Sequence, residues 1–522
     1  MKRDLMLKTL EKEDNLYDFI IIGGGATGIG IALEASSRGY SCALFEKSDF
    51  TKSTSSKSTK ILHGGVRYLA QGNVALVREA SIERGLLREN APHLVKNLWF
   101  IIPTAGIKEE IMYTVGLTFY DMLAGRLGLG KTTHLSKKNT LKRIFTLNPN
   151  KCTSGVAYHD GQFDDSRLAI NSLETAVEHG AVVLNYANVI GLTKNGKGQL
   201  SGVTIKDEET KETFSVKGKN IINAAGVFAN EVLFMDDPKQ PKVVAPSQGV
   251  HLIIDKSFYP TNDAMMIPHT NDGRILFLIP WHDKVILGTT DTPVEDTALE
   301  PKPTEEEINF ILKTASRYLS KAPTRSDVLS VYAGLRPLAA PKAEGKKTKE
   351  ISRSHKISVT DSGLITIIGG KWTTYRKMGE DMIDRAEKER KWNHIETKTK
   401  HLKIHGYKKE VDYKDPMYFY GTDKGLIMKL IKEEPDLKKI ISKKLNINKA
   451  QVVWSVRNEM ARNIEDFLAR RVRAQLLDAK ESIKIAPVVA EIMAKELGKT
   501  KKWQEEQVNR YEKLTTSLYI VK

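Results

Sequence analysis

A glycine-rich turn near the N-terminus most constrains the fold of this 522-residue chain. Asp18 begins an apolar run that ends in Gly-Gly-Gly-Ala-Thr-Gly, and a second apolar run ends at Glu46. We predict strand, turn, helix and strand, in which Gly23 makes the tight turn, Gly25 admits a pyrophosphate and Gly28 lets the helix pack on the sheet. Glu46 then lies where it can bind a ribose. This unit predicts an α/β domain that binds a dinucleotide.

The same pattern returns late in the chain. The apolar residues 364–368 precede Gly369 and Gly370, and a helix is expected to begin between Lys371 and Thr374. NAD needs only one such turn, whereas an extended FAD needs a second helix N-terminus near its ring system. The positive end of that helix, together with Lys371, would stabilise negative charge on a reduced flavin. Two glycine turns therefore favour FAD over NAD.

Cysteine content and hydropathy exclude several classes of protein. The two cysteines, Cys42 and Cys152, form no CxxC motif, so the sequence supports neither a disulfide framework nor a zinc or iron–sulfur site. We therefore expect no metal and a reducing, cytoplasmic compartment. The N-terminus is charged, and no run of about 18 apolar residues occurs, which predicts neither a secretory signal nor a membrane span.

The formal net charge of +17 is concentrated in the C-terminal quarter, where residues 391–522 carry 29 Lys and Arg against 18 Asp and Glu. Such a surface attracts nucleic acid, anionic lipid or phosphate-rich substrates, and charge alone does not choose among them. The sequence has no zinc finger, RNP-type aromatic motif or lysine block interleaved with aromatics. We therefore predict no nucleic-acid partner.

Two apolar repeats predict helices. Residues 457–480 carry apolar side chains at steps of four, which predicts one helix of a helical cap that leaves Arg470, Arg471 and Arg473 free of its packed face. The alternative for this segment is a basic platform on an anionic membrane. Residues 107–130 predict a second helix, and core packing is favoured over membrane contact for its apolar cluster, namely Ile111, Met112, Val115, Leu117, Phe119, Tyr120 and Leu123.

Strand patterns divide the rest of the chain between two sheets. Apolar segments that extend the nucleotide-binding domain occur at 181–184, 202–205 and 220–226. Alternating segments that predict a separate sheet, assigned to a substrate domain, occur at 250–254, 274–279 and 284–288.

Eight segments, in chain order, carry a resemblance to a known family. They are IIGGGATGIGIALEASSRG, STSSKSTKILHGGVRYL, FDDSRLAINSLETAVEHGA, NAAGVFAN, IPWHDKVILGTTDTP, YAGLRPL, IGGKWTTYRKMGEDMID and NIEDFLARRVRAQLLDA. The chain closely resembles the FAD-dependent (aerobic, respiratory) sn-glycerol-3-phosphate dehydrogenases over nearly its whole length. The motifs HGGVRYL, GLRPL and GGKWTTYR are the most specific part of this resemblance.

The resemblance implies a fold class of α/β, with an FAD-binding Rossmann-like domain of the glutathione-reductase type, a β-rich substrate domain and a C-terminal helical cap. We expect the FAD-binding domain at 16–95, 165–230 and 356–390. The substrate domain is expected at 96–164 and 231–355, and the C-terminal helical basic domain at 391–522.

The resemblance also implies a reaction and its partners. sn-Glycerol 3-phosphate would be oxidised at C2 to dihydroxyacetone phosphate, with a hydride passing to flavin N5 and the electrons to a membrane quinone. The protein would lie in the cytoplasm, peripherally on the inner face of the cytoplasmic membrane, where it contacts an anionic membrane surface. A homodimer is compatible with this expectation. Two alternatives stay open: an oxidase that uses oxygen and releases hydrogen peroxide, and a non-catalytic FAD-binding membrane scaffold.

A phosphate dianion beside a flavin needs several charge-assisted hydrogen bonds, which arginine supplies in bidentate geometry. Arg336 and Arg353 are the leading predicted phosphate ligands, with Arg274 as a weaker addition. The HGGVRYL motif adds Arg67 and Tyr68 to the same pocket by resemblance.

The hydroxyl proton on C2 needs a base, and His251, which lies among apolar neighbours, is the predicted one. His63 is the alternative base, although a flavin contact suits its position better. Lys371 would polarise the substrate oxygen or stabilise the flavin anion, and Arg336 is included in the catalytic group. Besides Gly23, Gly25, Gly28 and Glu46, the predicted flavin contacts are Ser55, Ser56, Lys60, His63, Gly64, Gly65, Gly226, Gly370, Lys371 and Thr373.

Overall fold

The computed structural model describes residues 1–10, 16–69, 72–268, 270, 273–340 and 354–521. The α-helices are α1 (Arg3–Leu10), α2 (Ala26–Arg38), α3 (Val66–Leu69), α4 (Val74–Asn90), α5 (Ile107–Ala124), α6 (Lys137–Arg143), α7 (Asp165–Glu178), α8 (Ala229–Asp236), α9 (Glu305–Tyr318), α10 (Tyr375–Arg390), α11 (Asp423–Glu433), α12 (Lys449–Asn458), α13 (Ala474–Leu477), α14 (Ala479–Leu497) and α15 (Lys501–Leu518). In the described part of the chain, no helix is both long and apolar enough to cross a bilayer.

The strands form two large sheets and one hairpin. They are β1 (Leu16–Ile22), β2 (Cys42–Phe45), β3 (Ile61–Leu62), β4 (Val95–Thr104), β5 (Thr133–Ser136), β6 (Ser154–Phe163), β7 (Val182–Leu184), β8 (Ala187–Lys194), β9 (Leu200–Asp207), β10 (Thr213–Asn223), β11 (Val244–Asp255), β12 (Ala264–Ile267), β13 (Leu276–Trp281), β14 (Lys284–Gly288), β15 (Thr292–Pro293), β16 (Val328–Ala339), β17 (Lys356–Val359), β18 (Leu364–Ile368), β19 (Ile440–Ser442) and β20 (Ile447–Asn448).

The first sheet carries the nucleotide-binding fold. Its order is β17-β18-β10-β1-β2-β7, with β9 and then β8 added beside β10, and the strands from β18 to β7 are parallel. Residues 19–22 of β1 are buried, as parallel strands covered by helices on both faces require. The predicted strands at 181–184, 202–205 and 220–226 are confirmed as β7, β9 and β10.

The second sheet follows the order β15-β11-β14-β13-β12-β4-β6-β3, with β16 paired to β11 and β5 to β6. The predicted strands at 250–254, 274–279 and 284–288 are confirmed as β11, β13 and β14. The short β3, which lies within the range predicted for the FAD-binding domain, also pairs here, with β6.

Two glycines bring α2 and α10 into contact. A Cβ atom on Gly379 would overlap the carbonyl group of Gly30, and one on Gly30 would lie 2.5 Å from the carbonyl oxygen of Tyr375. The helices that follow the two glycine turns therefore pack backbone to backbone, which holds both helix N-termini at one edge of the first sheet.

The prediction of one helix over 457–480 is wrong. The segment splits into the end of α12, a π-helix at Asp466–Arg471, the short α13 and the start of α14. Arg473 has a φ of +59°, which breaks the helix at that residue. Periodicity at steps of four did not detect this break because apolar side chains on both sides of it enter one core.

Arg470, Arg471 and Arg473 are buried, so the interpretation that they lie free of the packed face is wrong. Arg470 and Arg471 donate to Asp49 at 2.5 and 2.7 Å, and Arg473 pairs with Asp164 at 2.8 Å. The three arginines bind the C-terminal domain to the rest of the protein. They are therefore not available as a basic membrane platform.

The prediction that residues 107–130 form a helix is confirmed by α5, but core packing of its apolar cluster is wrong. Leu117 and Tyr120 are buried, whereas the predicted core residues that are exposed are Ile111, Met112, Val115 and Phe119. One face of α5 packs on the protein, and the other carries apolar side chains into solvent.

Candidate functional site

A cavity of about 330 Å³ lies between the two large sheets. Ile22, Phe45 and Ala224, at the carboxyl ends of parallel strands, form one wall, and His251 and Arg336 of the second sheet form another. Ligands of open α/β folds bind at such carboxyl ends. The predicted site residues that line the cavity are Gly23, Gly25, Glu46, Ser55, His63, Gly226, His251, Arg336, Gly370, Lys371 and Thr373.

The first glycine turn has the geometry of a phosphate-binding loop. Gly23 has a φ of +113°, and a Cβ atom there would lie 2.7 Å from the carbonyl oxygen of Ala224. A Cβ on Gly28 would overlap the carbonyl oxygen of Gly23. The N–H of Gly24 donates to Glu46 at 2.7 Å, and burial raises the pKa of Glu46. The carboxylate is thus held at the cavity wall, where a ribose hydroxyl can donate to it.

The loop after β2 joins both glycine turns. Ser55 accepts a hydrogen bond from the N–H of Ala26 at 2.9 Å through its hydroxyl, and its carbonyl accepts one from Nε1 of Trp372 at 2.8 Å. Thr373 donates to the carbonyl oxygen of His63 at 3.4 Å. The first turns of the two helices are therefore fixed relative to each other.

The second glycine turn supplies the other end of the cavity. Gly369 and Gly370 both have a φ of +78°, a conformation that L side chains disfavour. Lys371 is the N-cap of the helical turn that leads into α10, and Lys371 lines the cavity. The positive end of the helix dipole at this helix start favours negative charge in the cavity.

His251 lies on β11 opposite Gly288 of β14 and Tyr332 of β16. Its ring stacks on Tyr332 with 4.8 Å between centroids, and a Cβ on Gly288 would overlap the ring. Nε2 shares a hydrogen bond with the hydroxyl of Thr59 at 2.9 Å. Burial lowers the pKa of His251 well below its usual value, and the charge of Arg336 lowers it further. The imidazole is therefore neutral at pH 7.

Arg336 lies on β16, with its guanidinium held at the cavity wall. Nη1 donates to Asp291 at 3.1 Å, and Nη2 donates to the carbonyl oxygen of Thr290 at 2.9 Å. A Cβ on Gly249 would overlap Nη2, so this glycine makes room for the guanidinium. The side chain is one-fifth exposed, which leaves a positioned cation accessible from the cavity.

Some predicted site residues have other partners and do not line the cavity. Lys60 donates to Asp165 at 2.5 Å with both side chains fully buried, and the N–H of Gly64 donates to the hydroxyl of Tyr120 at 2.7 Å. Arg274 lies over the ring of Phe310, 5.6 Å from its centroid. The predicted residues outside the cavity wall are Gly28, Ser56, Lys60, Gly64, Gly65 and Arg274.

Neither Lys60 nor Arg274 lines the cavity, because Lys60 pairs with Asp165 and Arg274 lies over the ring of Phe310. Beside the cavity, Gly28 lets its helix approach the backbone of Gly23, and Gly64 leaves room for the side chains of Ser81 and Tyr120. The backbone of Arg67 and Tyr68 belongs to α3, and their side chains lie outside the described part of the chain. Arg353 also lies outside the described residues.

Sequence reasoning missed the residues that orient the predicted ones. Apart from Gly249, which lies on β11, they lie in the motif LGTTDTP (residues 287–293) and in the loop after β2, two segments rich in side-chain hydrogen-bond donors and acceptors. These residues are Thr59, which contacts His251, and Gly249, Thr289, Thr290 and Asp291, which surround Arg336.

Comparison with known proteins decides the family. A family described as FAD dependent oxidoreductase matches residues 18–376, and one described as C-terminal domain of alpha-glycerophosphate oxidase matches residues 365–507. The mitochondrial glycerol-3-phosphate dehydrogenase of Mus musculus is 36% identical over 553 residues, which cover 99% of this chain and 74% of the mouse protein. The chain belongs to the FAD-dependent glycerol-3-phosphate dehydrogenase family.

Further members and solved structures agree with this placement in the dehydrogenase family. The mitochondrial enzyme of Schizosaccharomyces pombe is 35% identical, covering 95% of this chain and 86% of the yeast protein. The glycerol-3-phosphate dehydrogenase from Bacillus halodurans, complexed with FAD, gives a TM-score of 0.81 at 28% identity and covers 99% of this chain and 97% of that one. The L-alpha-glycerophosphate oxidase from Mycoplasma pneumoniae shares the fold, with a TM-score of 0.58 at 18% identity over 72% of this chain and 95% of that one.

FAD is the cofactor of this dehydrogenase-family member, as predicted, and the predicted fold class is confirmed. The residues fit FAD for two reasons. The glycines of both turns have no side chain, so the backbone there can approach a ligand, and the buried carboxylate of Glu46 lies where a ribose is expected. Gly23, Gly25, Glu46 and Ser55 would hold the nucleotide end, and Gly370, Lys371 and Thr373 the ring end.

Replacing Gly28 with alanine is expected to lower the FAD content of the purified protein at least tenfold, because the added methyl group pushes α2 away from β1. Flavin absorbance per mole of protein measures this. The matched control is Gly425→Ala on α11, where a Cβ would meet no atom within 4 Å, and it should keep its flavin. A Gly28→Ala protein with a full complement of FAD would contradict the close helix–strand packing.

Proposed function

We propose that this chain oxidises sn-glycerol 3-phosphate at C2 to dihydroxyacetone phosphate and passes the electrons to a membrane quinone. FAD supplies the hydride acceptor when bound. The observation that carries the proposal is a single cavity in which a neutral His251 and the guanidinium of Arg336 face the residues of both glycine turns. The names of the 36%-identical mouse and 35%-identical yeast relatives support the choice of substrate.

Each residue has a role that follows from its surroundings. Arg336 binds the phosphate dianion, since its fork of donors is already oriented by Asp291 and Thr290. His251 accepts the proton of the C2 hydroxyl, which a neutral imidazole can do and an imidazolium cannot. Lys371 and the helix start beside it favour negative charge at that end of the cavity. In sum, the substrate loses one proton and one hydride and becomes a ketone.

The acceptor and the location are part of the same proposal. A quinone dissolved in the bilayer can meet the cofactor only if the protein contacts the membrane, so we propose peripheral attachment to the inner face of the cytoplasmic membrane. The net charge of +17 supports contact with an anionic surface. The homodimer stays a prediction. Reaction with oxygen is the second candidate for the acceptor, because residues 365–507 match a domain described for an oxidase.

An anaerobic titration with sn-glycerol 3-phosphate tests the proposal. The visible band of the oxidised flavin should bleach, and glycerol, which lacks the phosphate, should leave the band unchanged. Addition of a soluble quinone analogue should restore the band faster than oxygen does, without hydrogen peroxide. Restoration by oxygen with peroxide release would establish the oxidase, and a flavin that never bleaches would reject the substrate.

The pH dependence of kcat/KM tests the base. Burial lowers the pKa of His251 below the ordinary value of 6.5, so the imidazole stays neutral as the pH falls through 6.5. The acid limb of the profile should therefore lie below pH 6.5. His251→Gln should remove this limb and lower kcat by roughly 10²- to 10⁴-fold. A variant that keeps the limb would assign the proton to another group, and His63→Gln is the matched test of the alternative base.

A further inference from the structure

The outer face of α5 is the largest set of exposed apolar side chains on any one helix in the described residues. Ile107 and Val115 are 74% and 64% exposed. Spacings of three and four residues put the set on one face of the helix. Its members are Ile107, Ile111, Met112, Val115, Phe119 and Met122.

The opposite face fixes α5 firmly to the protein. Leu117, Tyr120 and Ala124 are buried. The hydroxyl of Tyr120 accepts from the N–H of Gly64 and from Arg84, both at 2.7 Å, and donates to Asp160 at 3.0 Å. The exposed stripe therefore belongs to a helix whose opposite face is already packed, and none of the described residues covers the stripe.

The charge on the C-terminal side of α5 is of one sign, whereas α5 itself carries Lys108, Glu109, Glu110 and Asp121. Residues 122–159 contain no Asp or Glu and seven Lys or Arg. Arg143 is paired with Asp263 at 2.7 Å, while the exposed cations of this segment are Arg126, Lys131, Lys137, Lys138, Lys142 and Lys151. An apolar stripe followed by exposed cations without acids is the pattern of an interfacial helix on an anionic lipid surface.

We propose that α5 is the membrane-docking helix of this protein, with its apolar stripe in the headgroup region of an anionic bilayer. The inference rests on the proposed function, because a quinone acceptor requires membrane contact, and it identifies the contacting surface. A second copy of the chain is the less suitable partner for this face. A symmetric pair formed through α5 would bring two copies of the basic segment 122–159 close to each other, and like charges at an interface repel.

Co-sedimentation with vesicles tests this inference on the FAD-loaded protein. Wild type should bind vesicles of phosphatidylcholine mixed with phosphatidylglycerol and bind pure phosphatidylcholine weakly, with less binding as salt rises. Ile111→Gln/Val115→Gln should lower the partition onto the mixed vesicles by about 100-fold, since each apolar side chain contributes about one factor of ten. Both sites are exposed, so bleaching of the flavin by sn-glycerol 3-phosphate should not change.

The matched control is Leu426→Gln/Met428→Gln, which removes two exposed apolar side chains from α11 and should bind as wild type does. The inference is overturned if the α5 variant binds the mixed vesicles as wild type does, if wild type binds neither vesicle, or if the α5 substitutions instead convert a dimer to a monomer in size-exclusion chromatography. The vesicles contain no quinone, so these outcomes are independent of the acceptor. Failure of the proposed function would appear in the bleaching assay alone.

Discussion

Replacing Arg336 with alanine is expected to lower kcat/KM for sn-glycerol 3-phosphate by about 1000-fold while FAD stays bound. Hydrogen bonds to Gln248, Thr290 and Asp291 hold the guanidinium of Arg336 at the cavity wall. Removing it takes one charge-assisted, forked donor away from the phosphate dianion. Steady-state kinetics and the flavin absorbance of the purified variant measure both parts of the prediction.

Two further variants make this result specific to the guanidinium. Arg336→Lys keeps the charge and loses the fork, so it should recover part of the activity. Arg274→Ala, a cation outside the cavity wall, should leave kcat/KM near that of wild type. If Arg336→Ala instead loses FAD and keeps its substrate affinity, then Arg336 serves the cofactor and its assignment to phosphate is wrong.

Replacing Asp49 with asparagine is expected to lower the free energy of unfolding by about 3–5 kcal/mol, the cost of leaving a buried charge without its partner. Asp49 is fully buried, and its carboxylate accepts from Arg470 at 2.5 Å and from Arg471 at 2.7 and 2.9 Å. Burial alone would raise the pKa of Asp49, yet the guanidinium groups of Arg471 and Arg470 hold it below its ordinary value. Chemical denaturation of the FAD-loaded protein measures the loss.

The stabilisation from Asp49 also has a defined pH dependence. Because its folded pKa is depressed, this contribution is complete above the unfolded pKa and is lost as the pH falls through the folded pKa. The matched control is Asp436→Asn, an exposed acid between Lys439 and Lys449 whose replacement should not change the denaturation midpoint. An Asp49→Asn protein as stable as wild type would show that Arg470 and Arg471 are satisfied without this carboxylate.

The sequence predicted features whose cause is local. Gly23, with a φ of +113°, and Gly369 and Gly370, at +78°, lie where the turn residues were expected, because a positive φ restricts the residue type at that position itself. Strands β11, β13 and β14 could also be predicted from a local signal, because alternation of apolar and polar residues along a strand indicates which face is buried. Seven predicted polar residues line one cavity, namely Glu46, Ser55, His63, His251, Arg336, Lys371 and Thr373.

The features that the sequence did not predict concern partners distant in the chain. Lys60 was expected at the flavin, but Asp165 lies beside its ammonium group in the fold. Arg470 and Arg471 were expected to be free, and their carboxylate partner is more than 400 residues away. The apolar residues of α5 recur with a helical period. That period is the same whether the apolar face packs on a core or is exposed to solvent, as it is in α5.

The sequence by itself determined the type of fold, the cofactor class and the family resemblance, because each depends on the order and spacing of residues along the chain. Only the tertiary structure decided which charges are paired, which face of α5 is uncovered, and how Thr59, Gly249 and Asp291 orient His251 and Arg336. The physical reason is that burial and the pairing of charges are properties of surfaces that meet in space. Periodicity along the chain identifies the apolar face of one helix or strand, but it does not identify what packs against that face.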